Sequence, residues 1–197
     1  MNISRRTTGL IRPLIRPLVV ALAFAGAPAV AMESASTATA ATCATTTAQW
    51  GSLTKSLNRM TTASINNVRA GRHTCFDRMV VDLKGKGAGY TVQYVPQVLT
   101  EGRGAVVPLR GGARLAVVIE APAYDVNTGT STYNFANSRE LVNVAGFSVF
   151  RQIASGGSFE GYTTIGLGVR ARLPIRVFIL DGPGAGSRVV IDVAHHW

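Results

Sequence analysis

The sequence predicts an all-β protein: a β-sandwich of short antiparallel strands behind a flexible N-terminal extension. Three observations predict it. Short runs rich in Val, Ile, Tyr and Phe recur between Gly- and Pro-bearing turns, and branched and aromatic side chains favour the pleated strand. No long helical periodicity occurs after residue 63. Two distant runs also share one pattern, Arg78-Met79-Val80-Val81-Asp82-Leu83 and Arg188-Val189-Val190-Ile191-Asp192-Val193. Strand residues four apart share a face. Each Arg and its Asp are therefore expected along one face, and Arg78, Asp82, Arg188 and Asp192 are expected as structural ion pairs.

The first 31 residues read as an export signal. Arg5, Arg6, Arg12 and Arg16 precede the apolar run Leu18 to Ala27, and Ala29-Val30-Ala31 supplies a small-residue cleavage pattern. The run is shorter than the roughly 20 apolar residues a membrane-spanning helix needs. Ser4-Arg5-Arg6 hints at twin-arginine export, but Thr7-Thr8-Gly9 fits general secretion better. The expected product is secreted or wall-associated, cleaved near Ala31. Residues 32–63 form an extension whose first half is rich in Ala, Thr and Ser, a linker composition. Residues 64–197 are expected to form the sandwich.

Charge and cysteines narrow the class. The chain carries 20 Lys and Arg against 10 Asp and Glu. Without the four arginines of the export segment, 16 basic residues face 10 acidic ones, a net charge of +6. Such a balance favours anionic partners. The charges are scattered and lack the aromatic-flanked groove of nucleic-acid binders, so no nucleic acid is expected as partner. Cys43 and Cys75 are the two cysteines. In an exported chain one disulfide between them is the economical reading. Their spacing does not suit a metal site with His73.

The elements follow in order. Gln49 to Leu57 reads as a short helix or an irregular segment, with Trp50, Leu53 and Leu57 on one helical face against the core. Ser64 to Arg69 is a candidate strand, and Cys75 to Leu83 a firm one. Tyr90 to Val95 alternates and stops at Pro96, Val106-Val107 is a short strand, and Leu115 to Glu120 is another firm one. Tyr124 to Arg139 is the longest polar stretch of the mature chain, with Tyr133 and Phe135 interleaved. Loops carry recognition disproportionately, so Tyr133, Phe135 and Arg139 are the candidate binding residues; the alternative reading is an ordinary surface excursion with its aromatics tucked onto the core. Val142 to Ile153 is expected as a strand and Ser155-Gly156-Gly157-Ser158 as a turn. Gly166 and Gly168 suggest a bulge or a close backbone approach in the run Thr163 to Leu173. Ile175–Leu180 and Ser187–Ala194, separated by the Gly/Pro cluster 181–186, close the domain as a hairpin.

Catalytic motifs fail on spacing. Ser158 is followed by Glu160 where a nucleophile elbow needs Gly. His195 and His196 are adjacent and would point to opposite sides of a strand, so a solvated pair is expected. The glycine clusters at 85–89 and 182–186 lie between strands and lack the phosphate-loop motif. No cofactor or metal is expected. Glu120, Asp125 and Glu160 are the carboxylates available to an alternative, a small hydrolase of wall polymer.

The stretches Cys75 to Leu83, Gly89 to Val95, Arg170 to Leu180 and Ser187 to His195 resemble the AMIN-like domain of secreted bacterial proteins. The likeness covers roughly residue 64 to the C-terminus. It implies a β-sandwich with a non-catalytic role at the cell envelope, through peptidoglycan binding. The chain departs from the usual arrangement of that family in that no amidase or pore domain follows before Trp197. The expectation is an exported, disulfide-bonded module for peptidoglycan or an associated anionic glycopolymer. An envelope protein partner engaging an exposed strand edge is a further option.

Overall fold

A computed structural model describes Cys43 and residues 49–197. The predicted export signal lies outside the described residues. Among those described, eleven strands occur and no helix. In chain order they are β1 (Lys55–Leu57), β2 (Ser64–Arg72), β3 (Phe76–Lys84), β4 (Tyr90–Tyr94), β5 (Val98–Leu99), β6 (Val106–Val107), β7 (Ala113–Ile119), β8 (Phe150–Phe159), β9 (Tyr162–Val169), β10 (Ile175–Asp181) and β11 (Ser187–Ala194). One sheet runs β1-β4-β7-β9-β8 and the other β10-β11-β3-β2, all antiparallel. The small ribbon β5-β6 stands apart.

Alternation explains the sandwich. Met79, Val81 and Leu83 of β3 and Val189, Ile191 and Val193 of β11 point into one core. From the facing sheet come Leu115, Val117 and Ile119 of β7 with Ile165, Leu167 and Val169 of β9. A smaller cluster of Val98, Val107, Leu109, Ala116 and Ala154 seals the ribbon against the outer side of the five-stranded sheet. The glycines of β9 permit that second layer. A Cβ on Gly168 would lie 2.0 Å from the Arg110 carbonyl oxygen, and one on Gly166 would lie 2.9 Å from Leu109. The glycine run is a close backbone approach, one of the two readings its sequence allowed.

Three local expectations are corrected. Residues 49–57 are not helical: Gly51 bridges Ile175, and β1 adds an edge strand beside β4. Leu53 is 75% exposed and Leu57 39%, so they form no core stripe, whereas Trp50 packs against Phe76. Residues 142–149 are not a strand. They cap one end of the sandwich, with Val144 and Val149 buried and Gly146 at φ 75°. Residues 155–158 are not a turn but lie within β8, where a bulge falls between Ser155 and Gly157. The turn comes at Glu160 (φ 49°) and Gly161 (φ 83°), the two left-handed residues that a two-residue primed hairpin requires.

Cys43 and Cys75 form a disulfide with Cα atoms 5.3 Å apart. It tethers the N-terminal extension at the start of β3. The bridge closes a loop over a sequence separation of 32. Loops of that size are worth about 2–4 kcal/mol through the entropy of the unfolded chain. Cys43→Ser is therefore expected to lower stability in urea denaturation by that amount, and reducing agent to do so in the parent protein but not in the variant.

Candidate functional site

The outer face of the four-stranded sheet forms a grid set by register. Gly71, Arg78, Asp192 and Arg176 lie in one row, Arg69, Val80, Val190 and Phe178 in the next, and Asn67, Asp82, Arg188 and Leu180 in the third. Because β3 and β11 are antiparallel, each Arg faces the other strand's Asp. Arg78 donates to Asp192 from Nε at 2.7 Å and Nη2 at 2.9 Å. Arg176 donates to the same carboxylate from Nη2 at 2.6 Å. The expected pairs within each strand are thus corrected to pairs across strands. Asp82 faces Arg188 but binds Arg69, at 2.8 and 3.0 Å. Among the described residues Arg188 forms no carboxylate pair, and its Nη2 donates to the Asp181 carbonyl at 3.0 Å. Trp50, Phe76 and Phe178 surround the paired arginines, with the Arg176 guanidinium 4.6 Å from the Trp50 ring centroid.

A second feature lies where the edges of the two sheets meet the loop after β7. A cleft of about 260 Å³ opens there. Ile65 of β2 and Ile165 of β9, both buried, line it together with Tyr124, Tyr133 and Phe135. The loop takes its shape from its own polar groups. The Asp125 carboxylate accepts the Asn127 and Thr128 amides at 2.9 and 3.1 Å, Gly129 takes φ 70°, and Tyr124 bridges Ser131. The Thr132 hydroxyl donates to the Ile65 carbonyl at 2.6 Å, fastening the loop to β2. Across the cleft the Gly161 amide donates to the Tyr124 hydroxyl at 3.1 Å. Ser158 Oγ, also on the cleft, accepts the Ala123 amide at 2.9 Å.

The electrostatics of the loop follow from these bonds. The Asn127 amide, then Thr128, hold the Asp125 carboxyl below its usual pKa. The contribution of these bonds to the turn is fully present above the usual carboxylate range and fades as pH falls through the depressed value. Burial pushes the Tyr133 phenol up, with a backbone bond to Val68 acting against it. Tyr133 and Phe135 stand together, ring centroids 5.4 Å apart.

The structure brings Tyr133 and Phe135 to one cleft. Arg139 is not among its lining residues. Its side chain is exposed, and its carbonyl accepts from Gln152 at 2.8 Å. The carboxylates of the hydrolase alternative are engaged separately. Glu120 accepts the Arg59 amide at 2.6 Å, Asp125 holds its own turn, and Glu160 forms the β8–β9 hairpin. Among the described residues, no group of three or more His, Cys, Asp or Glu could hold a metal ion. Sequence reasoning missed Tyr124, although it opens the polar stretch, and Arg176, although it alternates with Phe178 on β10. It also placed His195 in solvent. Instead His195 Nε2 lies 3.1 Å from Asp77 Oδ1, and Asp77 is fully buried.

Residues 63–195 match a family model described as AMIN-like domain. No curated protein and no solved structure matches the chain.

Proposed function

Because the chain belongs to the AMIN-like domain family, whose members are modules of the cell envelope, we propose that it is an exported, non-catalytic binding module for a wall glycan, held in the cleft of Tyr124, Tyr133 and Phe135. The observation that carries this reading is the cleft itself. Aromatic and aliphatic side chains line it together with Ser131, Ser155 and Ser158. Such a surface suits a sugar ring, which has an apolar C–H face and a hydroxylated edge. Peptidoglycan or a glycopolymer attached to it is the polymer of that chemistry outside the membrane. The disulfide fits an oxidising compartment, and so does the export signal with cleavage near Ala31. The commitment of Glu120 to a backbone amide and of Asp125 to its turn supports a binding rather than a hydrolytic role.

Pelleting with purified cell walls tests this. Tyr133→Ala combined with Phe135→Ala is expected to weaken binding by about tenfold or more, the scale seen when an aromatic anchor is truncated. Circular dichroism should show the fold retained, since Phe135 is 41% exposed and Tyr133 half-buried. Wall binding unchanged in the folded double variant would remove the cleft as the glycan site.

A further inference from the structure

The grid on the four-stranded sheet has more positive charge than it uses. Four guanidiniums, Arg69, Arg78, Arg176 and Arg188, stand against two carboxylates, Asp82 and Asp192. Asp192 serves two arginines and Asp82 one. The fourth, Arg188, is held through a backbone carbonyl alone. Its Nε is buried and has no hydrogen-bond partner, the one such side-chain nitrogen or oxygen among the described residues. A buried donor without an acceptor is unfavourable, and Arg188 is the one guanidinium of the grid that no carboxylate of the grid neutralises.

A hollow of about 230 Å³ is lined in part by Arg188. Val80 and Val190 line it, and Arg69, Arg78 and Arg188 reach it from three different strands. Gly71 leaves the side next to Arg78 open: the nearest atom to a Cβ built there is His73 Nε2, at 3.9 Å. Arg69 and Arg78 spend Nε and Nη2 on their carboxylates. Each keeps Nη1 for another acceptor, because a guanidinium carries five N–H donors. Val80 and Val190 are buried, so a charge-assisted bond made over them is screened less than one in open water.

We propose that this hollow is a phosphate site, with Arg188 as its central donor and Arg78 and Arg69 as flanking donors. Donors converging from three strands suit a tetrahedral oxyanion with three or more oxygens better than a planar carboxylate with two. The inference goes beyond the glycan reading and does not depend on it: the hollow shares no lining residue with the cleft.

The test is a titration of the full protein, labelled with ¹⁵N and followed at its arginine Nε–H resonances, with inorganic phosphate, dimethyl phosphate and acetate at constant ionic strength. Phosphate is expected to move the Arg188 Nε–H resonance saturably, and acetate to bind at least about tenfold more weakly. Arg188→Gln should weaken phosphate binding about tenfold, the scale of one charge-assisted hydrogen bond. Gly71→Leu, which fills the hollow without changing charge, should do the same; it keeps the test open should the first variant not fold. Dimethyl phosphate binding as well as inorganic phosphate would assign the site to a diester, and inorganic phosphate alone to a free or terminal phosphate. A linear, unsaturable shift shared by all the arginines would overturn the proposal. So would parent affinity in either folded variant. Neither result would bear on wall pelleting through the cleft.

Discussion

Asp192→Asn should lower the unfolding free energy by about 3–5 kcal/mol, the scale for removing one partner from a buried ion pair. Asp192 is fully buried, and it balances two guanidiniums whose side chains are each only 24% exposed. Asparagine keeps the shape but not the charge. Its amide nitrogen would point donors at donors, and two cations in a partly desolvated site would lose their common anion. The aromatic rings do not replace it. Arg78 lies 5.0 Å from the Phe76 centroid and Arg176 lies 4.6 Å from that of Trp50, contacts worth about 0.5–2 kcal/mol each. They hold the cations in place without neutralising them. Residual exposure of both arginines puts the expected loss at the lower end of the range. The comparison is Asp82→Asn, whose partner Arg69 is 50% exposed. That change should cost no more than about 1 kcal/mol. Urea denaturation of the two variants reads the difference directly, and equal losses would refute the account.

The same pair of aspartates shows what was legible in the sequence. Strand positions and faces were written in the alternation of Arg, apolar residues and Asp, and the grid confirms that these residues share the outer face. Which Arg met which Asp was not written there. That depended on an antiparallel register between strands more than a hundred residues apart. Arg69 then intervened from β2 and took Asp82 from Arg188. The turn near residue 157 was misread for a related reason. Gly156 and Gly157 look like punctuation, but Gly156 lies against Thr164, where a Cβ would come within 2.6 Å, and the bulge absorbs the extra residue. Glu160 turns the chain in a conformation that its side chain does not advertise; only Gly161 beside it gave a local sign. In the candidate site the aromatic residues of the polar loop were visible as a class. The cleft beside them was not, because it is lined in part by Ile65 and Ile165, which read as ordinary core residues.

Asp77 is the position where a similar loss is expected from a different cause. Its carboxylate is fully buried and organises three segments. Oδ2 accepts the Val149 amide at 2.6 Å and the Phe150 amide at 3.1 Å, while His195 Nε2 lies 3.1 Å from Oδ1. Residues 142–149 have no strand partner, so this carboxylate does for their end what a ladder does elsewhere. Asp77→Ala removes the acceptor and strands two amides in the interior, at about 1–3 kcal/mol each. A total of about 3–5 kcal/mol is expected. Asp77→Asn retains one oxygen that can accept both amides and a nitrogen that can donate to the histidine ring, so its loss should be about half as large or less. His195→Ala leaves both amides satisfied and should be milder than Asp77→Ala. Native-state hydrogen exchange separates this from a general weakening: the Val149 and Phe150 amides should exchange faster in Asp77→Ala by more than the global change in stability accounts for. Protection of those two amides that falls only in step with the rest of the core would mean that Asp77 stabilises the fold without fixing the 147–150 segment. Phe150 opens β8, which runs on to Ser155 and Ser158 on the cleft. Loosening at its first residue is therefore the way a buried carboxylate far from the cleft would reach it.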